Sequence, residues 1–214
     1  MSPAGFPAYA RILHPIDAWP PTIVDLVVED PGLESWTWAE LAARTRSRLD
    51  ANSEWWDIAG ETDSVDGWTF SKPHDGWNDP QALASLVPAL RASTTTPEAL
   101  TLAVWDGWGF ASWGDVSEFP LPLFELPDRR YVLGDAALSD LEDPTWPFRA
   151  GLGWEPGDIN GVMPQFIWPA DEAWCVSVEI DAPYTVVAGP HSLIDQIMSL
   201  PDLETQVIPE PAAR

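Results

Sequence analysis

The stretch Trp174-Cys175-Val176-Ser177-Val178-Glu179-Ile180-Asp181-Ala182-Pro183-Tyr184-Thr185-Val186-Val187 decides the fold class. β-Branched and aromatic residues fill two short runs, and Asp181-Ala182-Pro183 places turn chemistry between them. So short a connection joins antiparallel neighbours, because a parallel pair needs a crossover of a dozen or more residues. Outward from this hairpin, Ala8–His14 alternates small or polar with large side chains until Pro15 stops it, and reads as another strand. Leu100–Trp105, Arg130–Leu133, Gln165–Trp168 and Leu203–Ile208 read as further strands.

Three helices carry their own signals. Thr37 and Glu40 form a capping box that opens a helix to about Arg48. Asp79-Pro80 supplies a cap and a proline at the first helical position, and Leu83, Leu86, Val87 and Leu90 follow as one apolar stripe. Pro190 begins a helix carrying Leu193, Ile194, Ile197 and Met198, and Pro201 ends it. Strands and helices mix without a βαβ alternation. The expected fold is therefore α+β, a mainly antiparallel sheet packed with a few helices and interrupted by long irregular loops over 50–79, 114–129 and 139–164. It is read as a single acidic domain over residues 1–208 with a flexible tail, 209–214.

Fourteen tryptophans and a formal charge of −24 in 214 residues set the limits on function. Each indole can bury roughly 150–250 Å², so fourteen together represent on the order of 70 kcal/mol of gross hydrophobic gain. A chain of this size cannot leave most of that in water, and most of the tryptophans must be structural. Thirty-four acids face nine arginines and one lysine, Lys72. A field of that sign repels nucleic acid and anionic membrane surfaces alike. No run of about 18 apolar residues is present for a membrane span. Residues 1–15 lack the basic and apolar regions of a signal peptide. Cys175 is the single cysteine, so no internal disulfide forms. These features lead to the expectation of a soluble, cytoplasmic protein that binds neither nucleic acid nor membrane.

Motifs for chemistry are few. Gly107-Trp108-Gly109-Phe110-Ala111-Ser112 follows a strand, but Ser112 stands where a dinucleotide loop needs its third glycine, and Pro120 and Pro122 follow in place of a helix. Cys175 lies mid-strand, where a thiol behaves as a small hydrophobe. His14, His74 and His191 are isolated in sequence and make no zinc spacing. Asp75–Asp79 hints at a calcium loop, yet its twelfth position is Leu86. No metal and no cofactor is expected.

Phe6–Pro15, Leu102–Gly109 and Ile167–Asp181 together resemble a family of uncharacterised actinobacterial proteins of about this length. That resemblance implies no activity and assigns no catalytic residue. Read physically, the blocks place Arg11, His14, Trp105, Asp106, Trp168, Asp171, Trp174, Glu179 and Asp181 at strand ends, with Trp108 just beyond. Either they floor a pocket roofed by the 114–129 loop, or Arg11 and Asp171 pair to hold the sheet edge. Two functions fit. The first is a non-enzymatic interaction protein, immunity- or inhibitor-like, whose negative field steers a basic protein partner towards aromatic anchors. The alternative is a small-molecule or carbohydrate-binding domain, hydrolytic if Asp106, Glu179 or Asp181 act beside Trp105, Trp108 and Trp168.

Overall fold

The chain opens with β1 (Ala8–Leu13), and His14-Pro15 hand it to β2 (Ile16–Trp19) in a different sheet. The computed structural model describes residues 4–21, 32–108, 122–126, 129–149 and 163–210. β3 (Glu34–Trp36) leads into α1 (Trp38–Thr45), which starts with the expected capping box: Thr37 Oγ1 accepts from the Glu40 N–H, and Glu40 accepts from the Thr37 N–H. α2 (Trp55–Ala59) and the hairpin of β4 (Ser64–Val65) and β5 (Trp68–Phe70) occupy the 50–79 stretch that the sequence reads as irregular. Asp66 and Gly67, both with positive φ, make the tight turn whose twist suits a two-residue hairpin. The small sheet runs β3-β2-β5-β4. Its strands of two to four residues are too short to show a hydrophobic period, which is why the sequence reading passes over them.

α3 (Pro80–Ala92) follows, capped by Asp79, whose carboxylate accepts from the N–H groups of Gln81 and Ala82. Leu83, Leu86, Val87 and Leu90 are all buried. Pro88 sits inside the helix on its exposed side, where water can take the carbonyl that proline leaves unpaired. β6 (Leu100–Trp105), β7 (Leu123–Leu126), β8 (Arg129–Ala136), the short α4 (Trp146–Arg149), β9 (Phe166–Pro169), β10 (Cys175–Val178), β11 (Tyr184–Gly189), α5 (His191–Ile197) and β12 (Thr205–Ile208) complete the order. The large sheet runs β12-β1-β11-β10-β9-β6-β8-β7, antiparallel throughout. The α+β reading with a mainly antiparallel sheet holds.

One face of the large sheet packs on α3 and α5 through Ala10, Ile12, Leu102, Ile167, Val176 and Val187. Trp174 locks that layer, since its indole N–H donates to the Leu90 carbonyl 3.0 Å away. The small sheet buries a separate core against α1 and α2, with Trp36, Trp38 and Trp55 at its centre. Of the eleven tryptophans whose side chains are described, only Trp56 is exposed. The expectation that most indoles are structural is met there. The tail is partly anchored rather than loose: Glu210 accepts from the Gly5 N–H at 2.7 Å and the Tyr9 hydroxyl at 3.2 Å. Residues 211–214 lie outside the described residues.

Arg11 connects the two halves. It is 2% exposed on β1, and its guanidinium donates to the Ser53 and Asp50 carbonyls, 2.8 Å each, and twice to Gln206 Oε1 on β12. Among the described residues no carboxylate lies within ion-pair distance; the ring of Tyr184 lies 5.4 Å away. Desolvation lowers its pKa, opposed by the more distant charges of Glu54, Asp50 and Glu204. Arg11→Met leaves those carbonyls and the Gln206 amide oxygen without their donor, and should cost about 3 kcal/mol. Urea denaturation checks this: the midpoint should fall with the slope unchanged. Arg11→Lys, which keeps the charge but loses the fork, should recover only part of the loss.

Candidate functional site

The ten residues singled out in the sequence divide among several places. Arg11 and His14 belong to the seam between the sheets. His14 Nδ1 faces the His74 carbonyl at 3.0 Å, and a carbonyl only accepts, so that nitrogen carries the proton. His14 Nε2 meets the Thr185 hydroxyl at 2.9 Å; Thr185 also reaches Asn78 Oδ1 at 2.8 Å, and the Asn78 amide donates to the Pro164 carbonyl. With neutral His14, the single hydroxyl proton of Thr185 serves two acceptors. Trp38 closes the seam from the small sheet by donating its indole N–H to the His14 carbonyl. Burial pushes the His14 pKa down to about 4, against the favourable hydrogen bond to His74.

Trp105, Asp106 and Glu179 do meet at one corner of the large sheet, and two residues absent from the candidate set hold them there. Arg129 pairs with Glu179 and lies 5.9 Å from the centre of the Trp105 ring. Arg130 pairs with Asp106, its Nε 2.8 Å from the carboxylate. Gln165 fixes the end of β6 from behind, accepting from the Trp105 N–H at 2.7 Å and donating to the Gly76 and Met163 carbonyls. Asp106–Trp108 form a turn of 3-10 helix in which a Cβ on Gly107 would lie 2.2 Å from the Trp105 ring. That glycine is required by close approach of the indole, and the turn reading of the Gly107 segment stands as far as residue 108. Each of the two carboxylates is held by an arginine. A general acid or base needs a carboxyl free to exchange its proton with substrate, and this pairing opposes that role.

Trp168 joins Phe124, Tyr131 and Phe166 in an aromatic cluster on the sheet face opposite α3, and Trp105 packs against the same cluster, so these two indoles share a face. The remaining candidates lie apart. Trp174 is wholly buried on the other face. Asp181 is exposed in the turn after β10, and the Trp108 side chain and most of the proposed roof over 114–129 lie outside the described residues. The Arg11–Asp171 pair does not form. Asp171 instead accepts from the Thr95 N–H at 2.6 Å and from the Thr94 and Thr95 hydroxyls at 2.8 Å each. Desolvation pushes its pKa up, but these bonds hold it well below the usual carboxylate range. It is a loop anchor. Cys175 is likewise inert: burial drives its pKa up to about 12. The Asp75–Asp79 hint of a calcium site resolves into an ion pair of Asp75 with Lys72 and the cap on α3. Among the described residues no group of three or more His, Cys, Asp or Glu is placed to hold a metal ion.

A cleft of roughly 420 Å³ opens between the start of α3, the end of β1 and the loop entering β12. Asp79, Asp202 and Glu204 line it with Ser35, Thr37, Gln81 and Ser85, and no lysine or arginine does. Two of its acids already serve helices. Asp79 caps α3, and Glu204 accepts from the Trp38 and Ala39 N–H groups at 2.6 and 2.8 Å. Burial raises the Glu204 pKa against those bonds, and nearby Glu40 adds to the rise. Comparison with protein-family models, curated proteins and solved structures found no match.

Signals for the missed residues were thin. Arg129-Arg130 is a doublet in a chain with ten bases, and that scarcity marks it. Asn78, Gln165 and Thr185 carry no local signature of burial; only packing reveals them.

His14 generates a pH prediction. Its pKa is near 6.5 unfolded and about 4 folded, so between those values the unfolded chain binds more protons. The stability it contributes is complete above pH 6.5 and is lost as pH falls towards 4, by up to about 3 kcal/mol. Denaturation midpoints measured across that window should drop steeply with acidification for the native protein. They should drop less for His14→Gln, which cannot titrate; Glu204 acts alike in both proteins and cancels in the difference.

Proposed function

We propose that this protein is a non-enzymatic interaction module that engages a basic protein partner. The observation that carries the reading is how its few cations are used. Arg48, Lys72, Arg91, Arg129, Arg130 and Arg149 pair with carboxylates of the same chain. Arg11 is spent on buried acceptors, and Arg44 lies over Trp36 at 4.0 Å and Trp68 at 5.8 Å. The formal charge of −24 already counts these cations, and engaged in this way they do not screen the acids left over. Such a field accelerates encounter with a positive surface and rejects anionic ones. The carboxylate-lined cleft has the same sign. The pairing of Asp106 and Glu179 with arginines favours binding over hydrolysis for this chain.

The experiment is affinity capture from source cells at about 50 mM and about 300 mM salt, with an acidic protein of equal charge as control, followed by titration of the recovered protein. The expected partner is basic, absent from the control, and at least about tenfold weaker at the higher salt. Retention of nothing beyond what the control retains, at either salt, refutes the proposal.

A further inference from the structure

Among the described tryptophans Trp56 stands alone at 65% exposure, and it packs in none of the hydrophobic clusters. α2 turns Trp55 inward, where it meets Trp38 edge-on at 5.4 Å, and buries Ile58 and Ala59 beside it. The next position, Trp56, faces water. Any good helix former would serve a five-residue helix at an outward position, yet this one carries the largest side chain available, with on the order of 150 Å² left in solvent. Trp56 sits within an acidic stretch: Glu54, Asp57, Glu61 and Asp63 are all exposed, and no lysine or arginine occurs between residues 54 and 63. The ring already has a cation near its face, since Lys72 Nζ lies 6.0 Å from its centre while paired with Asp75 at 2.5 Å. Two of the three cleft acids, Asp79 and Glu204, are committed to helix ends. The Trp56 indole caps no helix, and among the described residues its ring faces solvent and the Lys72 ammonium.

The geometry points to Trp56 as the anchor on which a lysine- or arginine-rich segment of a partner protein docks, with the acids of α2 and the loop after it as its rim. The inference rests on the basic-partner reading above and gives that reading a place on the surface. An exposed indole within an acidic stretch suits a basic segment on two counts. The π-face attracts guanidinium or ammonium, and the acids compensate the charge that docking desolvates. Tryptophan is also the residue whose truncation most often collapses an interface. An acidic or purely apolar partner finds either like charge or too little apolar area here.

The test uses the full chain labelled with ¹⁵N and a synthetic peptide of alternating arginine and glycine, with a glutamine–glycine peptide as neutral control. The indole N–H signal of Trp56 is the one that disappears in Trp56→Phe. On titration with the arginine peptide at low salt it should shift saturably, and Trp56→Ala should weaken the peptide by about tenfold. The exposed position keeps that variant folded, which its other indole signals verify. If the peptide binds, the Trp56 signal stays still and Trp56→Ala binds unchanged, the anchor lies elsewhere and this inference falls while the basic-partner reading stands. If the arginine peptide binds no better than the neutral one at low salt, both fall.

Discussion

A buried guanidinium bonded to backbone carbonyls and an amide oxygen holds the described fold together. Arg11 reaches from the large sheet to the carbonyls of Asp50 and Ser53 beneath the small one, and to Gln206 on the edge strand. Burying a charge is costly unless hydrogen bonds replace its water, and planar arginine can recruit several oxygens at once. Its partners come from segments about forty and about two hundred residues away, so those segments must converge for the charge to be tolerated. The neighbouring chain of His14, Thr185 and Asn78 makes the same demand in neutral form, joining the end of β1 to β11 and to the loop before α3. The acids Glu54, Asp50 and Glu204 lie close enough to ease the Arg11 charge without touching it.

That arrangement bears on the surface. A protein with so few cations uses them internally: to pin the seam, to tie Arg129 and Arg130 to the corner near Trp105, and to cover Trp36 and Trp68. Surface pairs of this kind contribute little stability, commonly below about 1 kcal/mol each. Each pair also neutralises a carboxylate, so pairing leaves the net charge of −24 unchanged and the surplus acids face solvent. The chain accepts self-repulsion in its folded state, and the long-range field that results extends about 8 Å at physiological salt before it is screened.

Much of the fold was legible. The Asp79-Pro80 cap, the Leu83–Leu90 stripe, the Thr37–Glu40 box and the 174–187 hairpin each depend on contacts within a few residues, so their spacing alone specifies them. The second sheet was not legible, because strands as short as Ser64–Val65 gain their definition only from partners. The candidate site was legible in part. Of the ten residues singled out in the sequence, Trp105, Asp106 and Glu179 meet at one corner, and composition could not say that arginines would occupy both acids. Asp171 and Arg11 looked like a pair by charge and found other partners, since three Thr donors bond the one and backbone carbonyls and an amide oxygen bond the other.

Composition and local spacing were sufficient for the α+β class, the starts of the three helices read from the sequence, the antiparallel order around the central hairpin and the sign of the surface. These follow from side-chain periodicity, capping chemistry and charge count, none of which needs a long-range contact. Which of the described tryptophans faces water, which carboxylates are neutralised, and that Arg11 ties the large sheet to the loop between α1 and α2 were settled by packing. Each depends on atoms brought together from distant parts of the chain, and the free energy that selects among partners exists only once that convergence has removed the water between them.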